Sequence, residues 1–255
     1  MRYRAPAWVA IGSLLAFLAG GVAEAQLIVT EKEVMRQART EWLLIKKHTP
    51  RAGDPRLQSY VECITDRIVA VLEPQFQELS WEVIVFDDEA ANAFALPGGK
   101  VGVFTGILKV ADTPDALAAV IGHEIAHLTE DHIMQRAKRQ SRTDALVILG
   151  GAATGMGDVV RAGAQIGLAL PFDRRQESEA DLVGLEYMAQ AGFDPRASIY
   201  LWKNMANVNK GAPPEFLSTH PSNDRRLDDL VGSLAPALVH YNEARESGRR
   251  PNCRL

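Results

Sequence analysis

The residues of this chain with the clearest capacity for chemistry are His123, Glu124 and His127, which stand in the order H-E-x-x-H. On an α-helix each residue advances by about 100°, so side chains four positions apart project from the same face, one turn apart. Two imidazoles in this arrangement can hold one zinc ion, and Glu124 can reach a water on that metal as a general base. The spacing therefore predicts a metal site with hydrolytic chemistry.

The residues before this motif predict the helix that must carry it. Thr113 is a favoured N-cap, Pro114 suits the first helical position, and Asp115 complements the positive end of a helix. Because no further proline occurs before about residue 139, we expect one helix from Pro114 to about Arg139, with apolar residues for burial. A buried helix with incidental histidines is the alternative.

A second, acidic helix is expected from Arg174 to Gln190, and it can complete the metal site. A catalytic zinc needs a third protein ligand and an open position for water. Glu177 and Asp181 are four residues apart and share a face, whereas Glu179 lies about 200° round from Glu177. We predict that Glu177 is the third ligand and that Asp181 orients a ligand histidine through a hydrogen bond. A solvated helix face is the alternative for these acids.

With these residues the chain resembles the gluzincin metallopeptidases, and within them the HtpX-like and BepA/LoiP-like group. The resemblance covers about residues 31–232. The motifs that carry it are H-E-x-x-H at 123–127, Glu177-x-x-x-Asp181, NAFALPGG at 92–99, and Ser218-Thr219-His220-Pro221 with Arg226 six residues after the histidine. It implies a zinc-dependent endopeptidase with one Zn²⁺ per chain, held by His123, His127 and Glu177, with Glu124 as the general base.

His220 and Arg226 follow the acidic helix in the sequence. Pro221 and Ser222 place His220 at a junction between a loop and a helix, from which its side chain can enter a site formed elsewhere. The resemblance implies that His220 lies near the metal, where it would stabilise the transition state or occupy the open position. A capping or packing role is the alternative. Arg226, one turn into the next helix, is expected to contact the acids of the site.

A small β-sheet is predicted before the motif helix. Residues 81–86, WEVIVF, are rich in β-branched and aromatic side chains, and residues 92–108 have the pattern of a hairpin that turns at Pro97-Gly98-Gly99-Lys100. An edge strand there can bind an extended substrate through its main chain. The residues predicted to form this substrate-binding edge are Asn92, Ala93, Phe94 and Ala95. A purely structural hairpin is the alternative.

These elements predict an α+β fold that is mainly α, with a zincin-like metalloprotease domain, a small sheet and the H-E-x-x-H helix. The chain has 255 residues, of which 47% are hydrophobic and 24% charged, and this composition suits one globular domain. We expect a single domain over residues 26–255 with its core at about 31–232. Residues 141–170 are apolar and glycine-rich, and we favour two packed helices there over a membrane span.

The N-terminal residues 1–25 differ in kind from the rest. Arg2 and Arg4 precede an apolar run from Ala7 to Val22, and the sequence AEA at 23–25 fits a small-x-small cleavage site. We expect a secretory signal peptide, with an uncleaved anchor as the alternative. Export, together with the resemblance to bacterial enzymes that work in the periplasm, implies a periplasmic protein that is soluble or loosely associated with a membrane.

Net charge limits the classes of binding partner, and the cysteine content limits the roles that the two cysteines can have. With 28 basic and 32 acidic residues the formal net charge is −4, so we expect protein or peptide substrates and no nucleic acid. Cys63 and Cys253 have no nearby Cys or His partner, so a metal or redox motif is not predicted. In an oxidising compartment we favour a disulfide between them over two free thiols. The oligomeric state stays open.

The predicted function is a zinc metalloendopeptidase that hydrolyses exported proteins, and the resemblance implies that these are misfolded or misassembled envelope proteins. The alternative is a chaperone-like or adaptor protein whose zinc site is closed by His220 and largely inactive. The occupant of the fourth metal position separates these two hypotheses.

Overall fold

The computed structural model describes residues 29–139, 172–207, 216, 220 and 224–255. The predictions for the signal segment at 1–25 and for the apolar segment at 141–170 fall outside these residues. Among the helices in the described ranges, none combines the length and the apolar character that crossing a bilayer requires.

The described elements are mainly helical, with one three-stranded sheet. The helices are α1 (Glu31–His48), α2 (Pro55–Val69), α3 (Pro74–Gln77), α4 (Pro114–Thr129), α5 (Arg174–Gln190), α6 (Ala197–Asn207) and α7 (Asp224–Glu246), and the strands are β1 (Glu82–Phe86), β2 (Ala93–Leu96) and β3 (Lys100–Phe104). A 3₁₀ helix at Thr105–Lys109 follows β3. The predicted α+β, mainly α, fold class is confirmed.

Local capping chemistry explains where the principal helices begin. The side chains of Thr30, Asp54, Thr113 and Asp173 each accept a hydrogen bond from a backbone amide in the first turn of α1, α2, α4 and α5, respectively. Such a bond satisfies one of the amides that a helix leaves without a partner at its start. Asp173 also forms a capping box with Gln176, so the start of the acidic helix is defined by its own sequence.

The sheet has the order β1-β3-β2, with β3 parallel to β1 and antiparallel to β2. The β2–β3 connection is the predicted hairpin, and Gly98 and Gly99 have φ of 87° and 73°, in the region that glycine adopts without steric cost. β2 lies at the edge of the sheet, as predicted. Asn92 comes just before the strand, so the strand portion of the predicted substrate edge is Ala93, Phe94 and Ala95.

The helices that carry the metal motif and the acidic motif cross at two glycines. A Cβ on Gly122 of α4 would lie 2.8 Å from the Gly184 carbonyl oxygen, and a Cβ on Gly184 of α5 would lie 2.6 Å from the His123 amide nitrogen. Real Cβ atoms do not approach other atoms so closely, and small residues are what allow two helix backbones to come this near. The crossing brings His123 within reach of the acids on α5.

Helix α4 ends earlier than predicted, and this is a correction to the expected helix from Pro114 to about Arg139. The helix stops at Thr129 with Glu130 as its C-cap, and Asp131 has a positive φ of 57°. Residues 132–139 are helical again. The left-handed conformation costs Asp less than most residues, so the chain changes direction here without a proline or glycine. The residues after Asp131 therefore do not follow the angular positions of α4.

A disulfide joins Cys63 on α2 to Cys253 in the C-terminal tail, across 190 residues of sequence. This is the pairing favoured from the cysteine count. A native disulfide that closes a long loop typically contributes about 2–5 kcal/mol to stability, chiefly by restricting the unfolded chain. The bond fixes the tail against the core helix α2.

Candidate metal centre

Four buried side chains converge at one point between α4, α5 and the segment before α7. They are His123, His127, Glu177 and His220, and one ligand atom from each lies within 4.8 Å of the others. These four side chains are called the metal group below. The exposed fraction of these residues is between 0% and 5%. The structure thus brings together the three predicted ligands, and it places the predicted site residue His220 among them.

The spacing of these atoms fits a zinc ion. His123 Nε2 lies 3.1 Å from His127 Nε2 and 3.1 Å from His220 Nδ1. Glu177 Oε1 lies 3.1 Å from His220 Nδ1 and 3.5 Å from His127 Nε2. Ligands arranged tetrahedrally around zinc at about 2.0–2.1 Å are about 3.4 Å apart. Imidazole nitrogens and a carboxylate oxygen at these separations are the donor set and the spacing that zinc takes.

Asp181 contacts the ring nitrogen of His123 that faces away from the other candidate ligands, the position expected of a residue that orients this histidine. The His123 Nδ1 atom lies 3.0 Å from Asp181 Oδ1. Burial lowers the pKa of the His123 imidazole, but the hydrogen bond with Asp181 and the nearby carboxylates outweigh it, and the net direction is upward. A ring that donates Nδ1–H to a carboxylate presents Nε2 to the metal group.

Arg226 connects Glu177 and Asp181, the two acids of α5 that face the site. Its guanidinium donates to Asp181 at 2.6 and 2.8 Å and pairs with Glu177 Oε2 at 2.7 Å. The side chain is 1% exposed and lies over the ring of Trp202 at 4.1 Å. The expected contact of Arg226 with the site acids is therefore present, and it neutralises part of the negative charge buried around the metal group.

Glu124 lies beside the metal group rather than in it. The residue is 3% exposed, and burial raises the pKa of its carboxyl above the usual range, while the nearby His220 and His123 and, more weakly, a hydrogen bond from the Ala95 backbone oppose that shift. Glu124 Oε1 accepts no hydrogen bond from the described residues, although His220 Nε2 lies 3.3 Å away. A buried carboxylate oxygen in this position is available to a substrate or water proton.

The edge strand β2 lies close to Glu124. The Asn92 carbonyl accepts a hydrogen bond from the Phe104 amide, and the pairing alternates along an antiparallel strand. The backbone groups of Ala93 and Ala95 therefore point away from β3, toward the open edge. Since the Ala95 backbone also contacts Glu124, the free edge of β2 lies next to the candidate base.

Two contacts of the site were missed from the sequence. His132 Nδ1 lies 3.0 Å from His127 Nδ1, although on one continuous helix a spacing of five residues would turn His132 by about 140° from the face of His127. The break at Asp131 invalidates that angle, and Asp after Glu at a helix end was the available signal. Phe172 stacks on the His127 ring at 3.8 Å and 20° between the planes. No spacing rule could have found Phe172, because its contact joins distant parts of the chain.

Comparison with known proteins supports this chemistry. Residues 55–233 match the profile of Peptidase family M48. The chain belongs to this family. Membership in M48, a family of zinc-dependent metallopeptidases, confirms the predicted enzyme class, zinc metallopeptidase, and the predicted cofactor, and the metal group described above fits both.

Individual M48 relatives are named as metalloendopeptidases or proteases. The chain is 41% identical over 196 residues to the mitochondrial metalloendopeptidase OMA1 of Schizosaccharomyces pombe, covering 73% of this chain and 58% of the relative. It is 35% identical over 174 residues to OMA1 of Saccharomyces cerevisiae, covering 65% and 50%. The beta-barrel assembly-enhancing protease of Escherichia coli K12 is 28% identical over 217 residues, covering 78% and 44%. The chain thus spans about half the length of these relatives.

The comparisons overturn one sequence-based prediction, the periplasmic location, and support the predicted family resemblance in a broader form. The M48 relatives with 34–41% identity are mitochondrial by name, whereas the bacterial beta-barrel assembly-enhancing proteases match at 28–30%. The prediction of a periplasmic protein is therefore wrong, and the resemblance is to the M48 family more broadly than to the HtpX-like and BepA/LoiP-like group. The reason is that basic residues before an apolar run are a compositional signal that does not identify a compartment.

Proposed function

We propose that this chain is a zinc metalloendopeptidase that cleaves extended segments of proteins, with His123, His127 and Glu177 as zinc ligands and Glu124 as the general base. The single observation that carries the proposal is the convergence of four buried ligand atoms within 4.8 Å, next to the carboxylate of Glu124. The expectation of envelope proteins as substrates depended on the periplasmic location and is not carried forward.

The protein groups divide the chemistry of peptide hydrolysis between them. When bound, zinc supplies Lewis-acid polarisation of the peptide carbonyl and lowers the pKa of water to about 7. Glu124 takes the proton of the attacking water and passes it to the nitrogen of the leaving amine. Asp181 and Arg226 hold His123 and Glu177 in place through hydrogen bonds, so the ligand atoms need not rearrange during the reaction.

The edge strand supports a preference for extended main chain. Ala93 and Ala95 direct backbone groups away from β3, and because both residues are buried in the form seen, at 1% and 6% exposed, a peptide must displace the groups that cover them before it can pair with this edge. A substrate added as a further strand is recognised mainly through backbone hydrogen bonds. Unfolded proteins offer such segments and compact folded domains do not.

Zinc removal tests the proposed function. We expect the purified chain to contain one zinc per molecule and to cleave unfolded casein, and we expect a strong chelator to abolish cleavage and added zinc to restore it. The measurements are metal content and release of casein fragments. Native folded lysozyme, with few extended segments, serves as the matched poor substrate. Cleavage that persists after the metal has been removed would contradict the proposal.

The position of His220 indicates that the site has a closed form, in which this side chain occupies the fourth metal position. Its Nδ1 atom is one of the four converging atoms, which leaves no separate fourth position for water while the side chain stays there. Phe216 stacks on the His220 ring at 4.5 Å, and the His220 amide donates to the Phe216 carbonyl at 2.9 Å. We infer that the arrangement seen is a closed form, and that a substrate must displace His220.

Replacement of His220 tests this inference. We expect His220→Ala to raise the rate of casein cleavage by several-fold, because the variant opens the fourth position without removing Glu124 or the three proposed ligands. The measurement is the initial rate at equal zinc content. His240→Ala is the matched control, since His240 is about 40% exposed and pairs with acids on the surface. A fall in rate for His220→Ala would instead assign His220 to stabilisation of the transition state.

A further inference from the structure

The second candidate ligand, His127, has a hydrogen-bond partner that the sequence did not predict. His132 Nδ1 lies 3.0 Å from His127 Nδ1, and the two ring centroids are 5.0 Å apart. His132 is 1% exposed, and the Gln176 side chain lies 3.5 Å from its backbone carbonyl. We propose that His132 is a positioning residue that fixes the tautomer and the orientation of His127. The proposal depends on the proposed function, which makes His127 a zinc ligand.

Elementary imidazole chemistry fixes the direction of this hydrogen bond. A histidine that binds zinc through Nε2 uses the lone pair of that atom, so the neutral ring carries its hydrogen on Nδ1. His127 Nδ1 then donates, and His132 Nδ1 must accept. The hydrogen of the neutral His132 ring is consequently on Nε2, which lies 3.5 Å from Glu179 Oε2. His132 Nε2 makes no hydrogen bond to the described residues at that distance, so the link that supports His127 is the contact between the two Nδ1 atoms.

The two candidate histidine ligands are therefore supported differently. His123 is held by the charged pair of Asp181 and Arg226, which is buried. His127 is held by a neutral imidazole, and the acid beyond it, Glu179, has a side chain that is about half exposed. The face of the His127 ring is covered by Phe172, which cannot accept the Nδ1 hydrogen in the ring plane. In the described part of the chain, the polar group bonded to His127 Nδ1 is thus that of His132.

The affinity for zinc alone tests this role, since partners of ligand histidines typically contribute about 10- to 100-fold to metal affinity. We expect His132→Phe to weaken zinc binding by about 10- to 100-fold, because no acceptor remains for His127 Nδ1. His132→Asn is the conservative variant, because its side-chain oxygen can accept the same hydrogen bond, and it should restore most of the affinity. The measurement is competition for zinc with a chelator of known affinity, and His240→Phe is the surface control.

Each result has a defined meaning. Wild-type affinity in His132→Phe, or equal losses in the Phe and Asn variants, would overturn the positioning role. If His132→Phe does not fold, His132→Leu replaces it, because leucine is close to histidine in volume and offers no acceptor: zinc binding weaker than in His132→Asn supports the role, and equal binding overturns it.

A separate variant keeps the two proposals apart. If His127→Ala binds zinc as tightly as the wild type, the proposed function itself is wrong. If His127→Ala loses zinc while His132→Phe keeps it, the proposed function survives and only the role of His132 is overturned.

Discussion

Replacement of Glu124 by Gln is expected to lower the rate of casein cleavage by about 10²- to 10⁴-fold, the range that a general base contributes. The substituted amide has nearly the same shape but no basic oxygen, so it cannot take the proton of the attacking water. Because Glu124 lies beside the four converging atoms and not among them, the variant should keep one zinc per chain. The measurements are kcat on casein and metal content.

Glu130→Gln is the matched control for this variant. Glu130 caps the C-terminal end of the same helix, α4, and contacts Thr129 rather than the metal group. We expect its activity and zinc content to equal those of the wild type. An active Glu124→Gln enzyme would remove Glu124 from the role of base, and loss of zinc from that variant would show that Glu124 helps to hold the metal.

Arg226→Met is expected to lower the free energy of unfolding of the zinc-free protein by about 3–5 kcal/mol. The arginine is 1% exposed and pairs with both Asp181 and Glu177, which are 3% and 0% exposed at their side chains. Methionine can fill the space above Trp202 but leaves two buried carboxylates without their counter-charge. The measurement is denaturant unfolding at neutral pH with the metal removed.

Arg225→Met is the control for this experiment. Arg225 precedes Arg226 on α7, its side chain is 85% exposed, and its pair with Asp229 is long at 3.7 Å. Exposed ion pairs of this kind contribute about 0–1 kcal/mol, so the control should change the free energy of unfolding by less than that. Equal losses in the two variants would show that the buried guanidinium is not the source of the stability.

The parts of the site that depend on local geometry were predictable. His123 and His127 share a face because the helical repeat is 3.6 residues, and the same rule placed Asp181 beside Glu177. The start of α4 at Pro114 follows from its capping residues, which act within one turn. These inferences needed no knowledge of how the helices pack.

The predictions that were wrong depend on a change in chain direction or on information that the fold does not contain. The helix expected to reach Arg139 stops at Thr129, because Asp131 adopts a left-handed conformation that few side chains tolerate. The contact between His127 and His132 therefore does not follow from their spacing of five residues. The periplasmic location failed for another reason, since a targeting signal is recognised by cellular machinery and is not determined by the packing of the mature protein.

The sequence by itself determined the two histidines and the base on one helical face, the pair of acids on another helix, and the pairing of the edge hairpin, because these follow from repeats of 3.6 and 2 residues and from turn chemistry. Only the tertiary structure decided that α4 and α5 meet at Gly122 and Gly184, that one guanidinium pairs with both Glu177 and Asp181, and that His220 takes a place among the converging ligand atoms rather than beside them. These contacts join residues far apart in sequence, and close packing rather than any local rule decides which of them form.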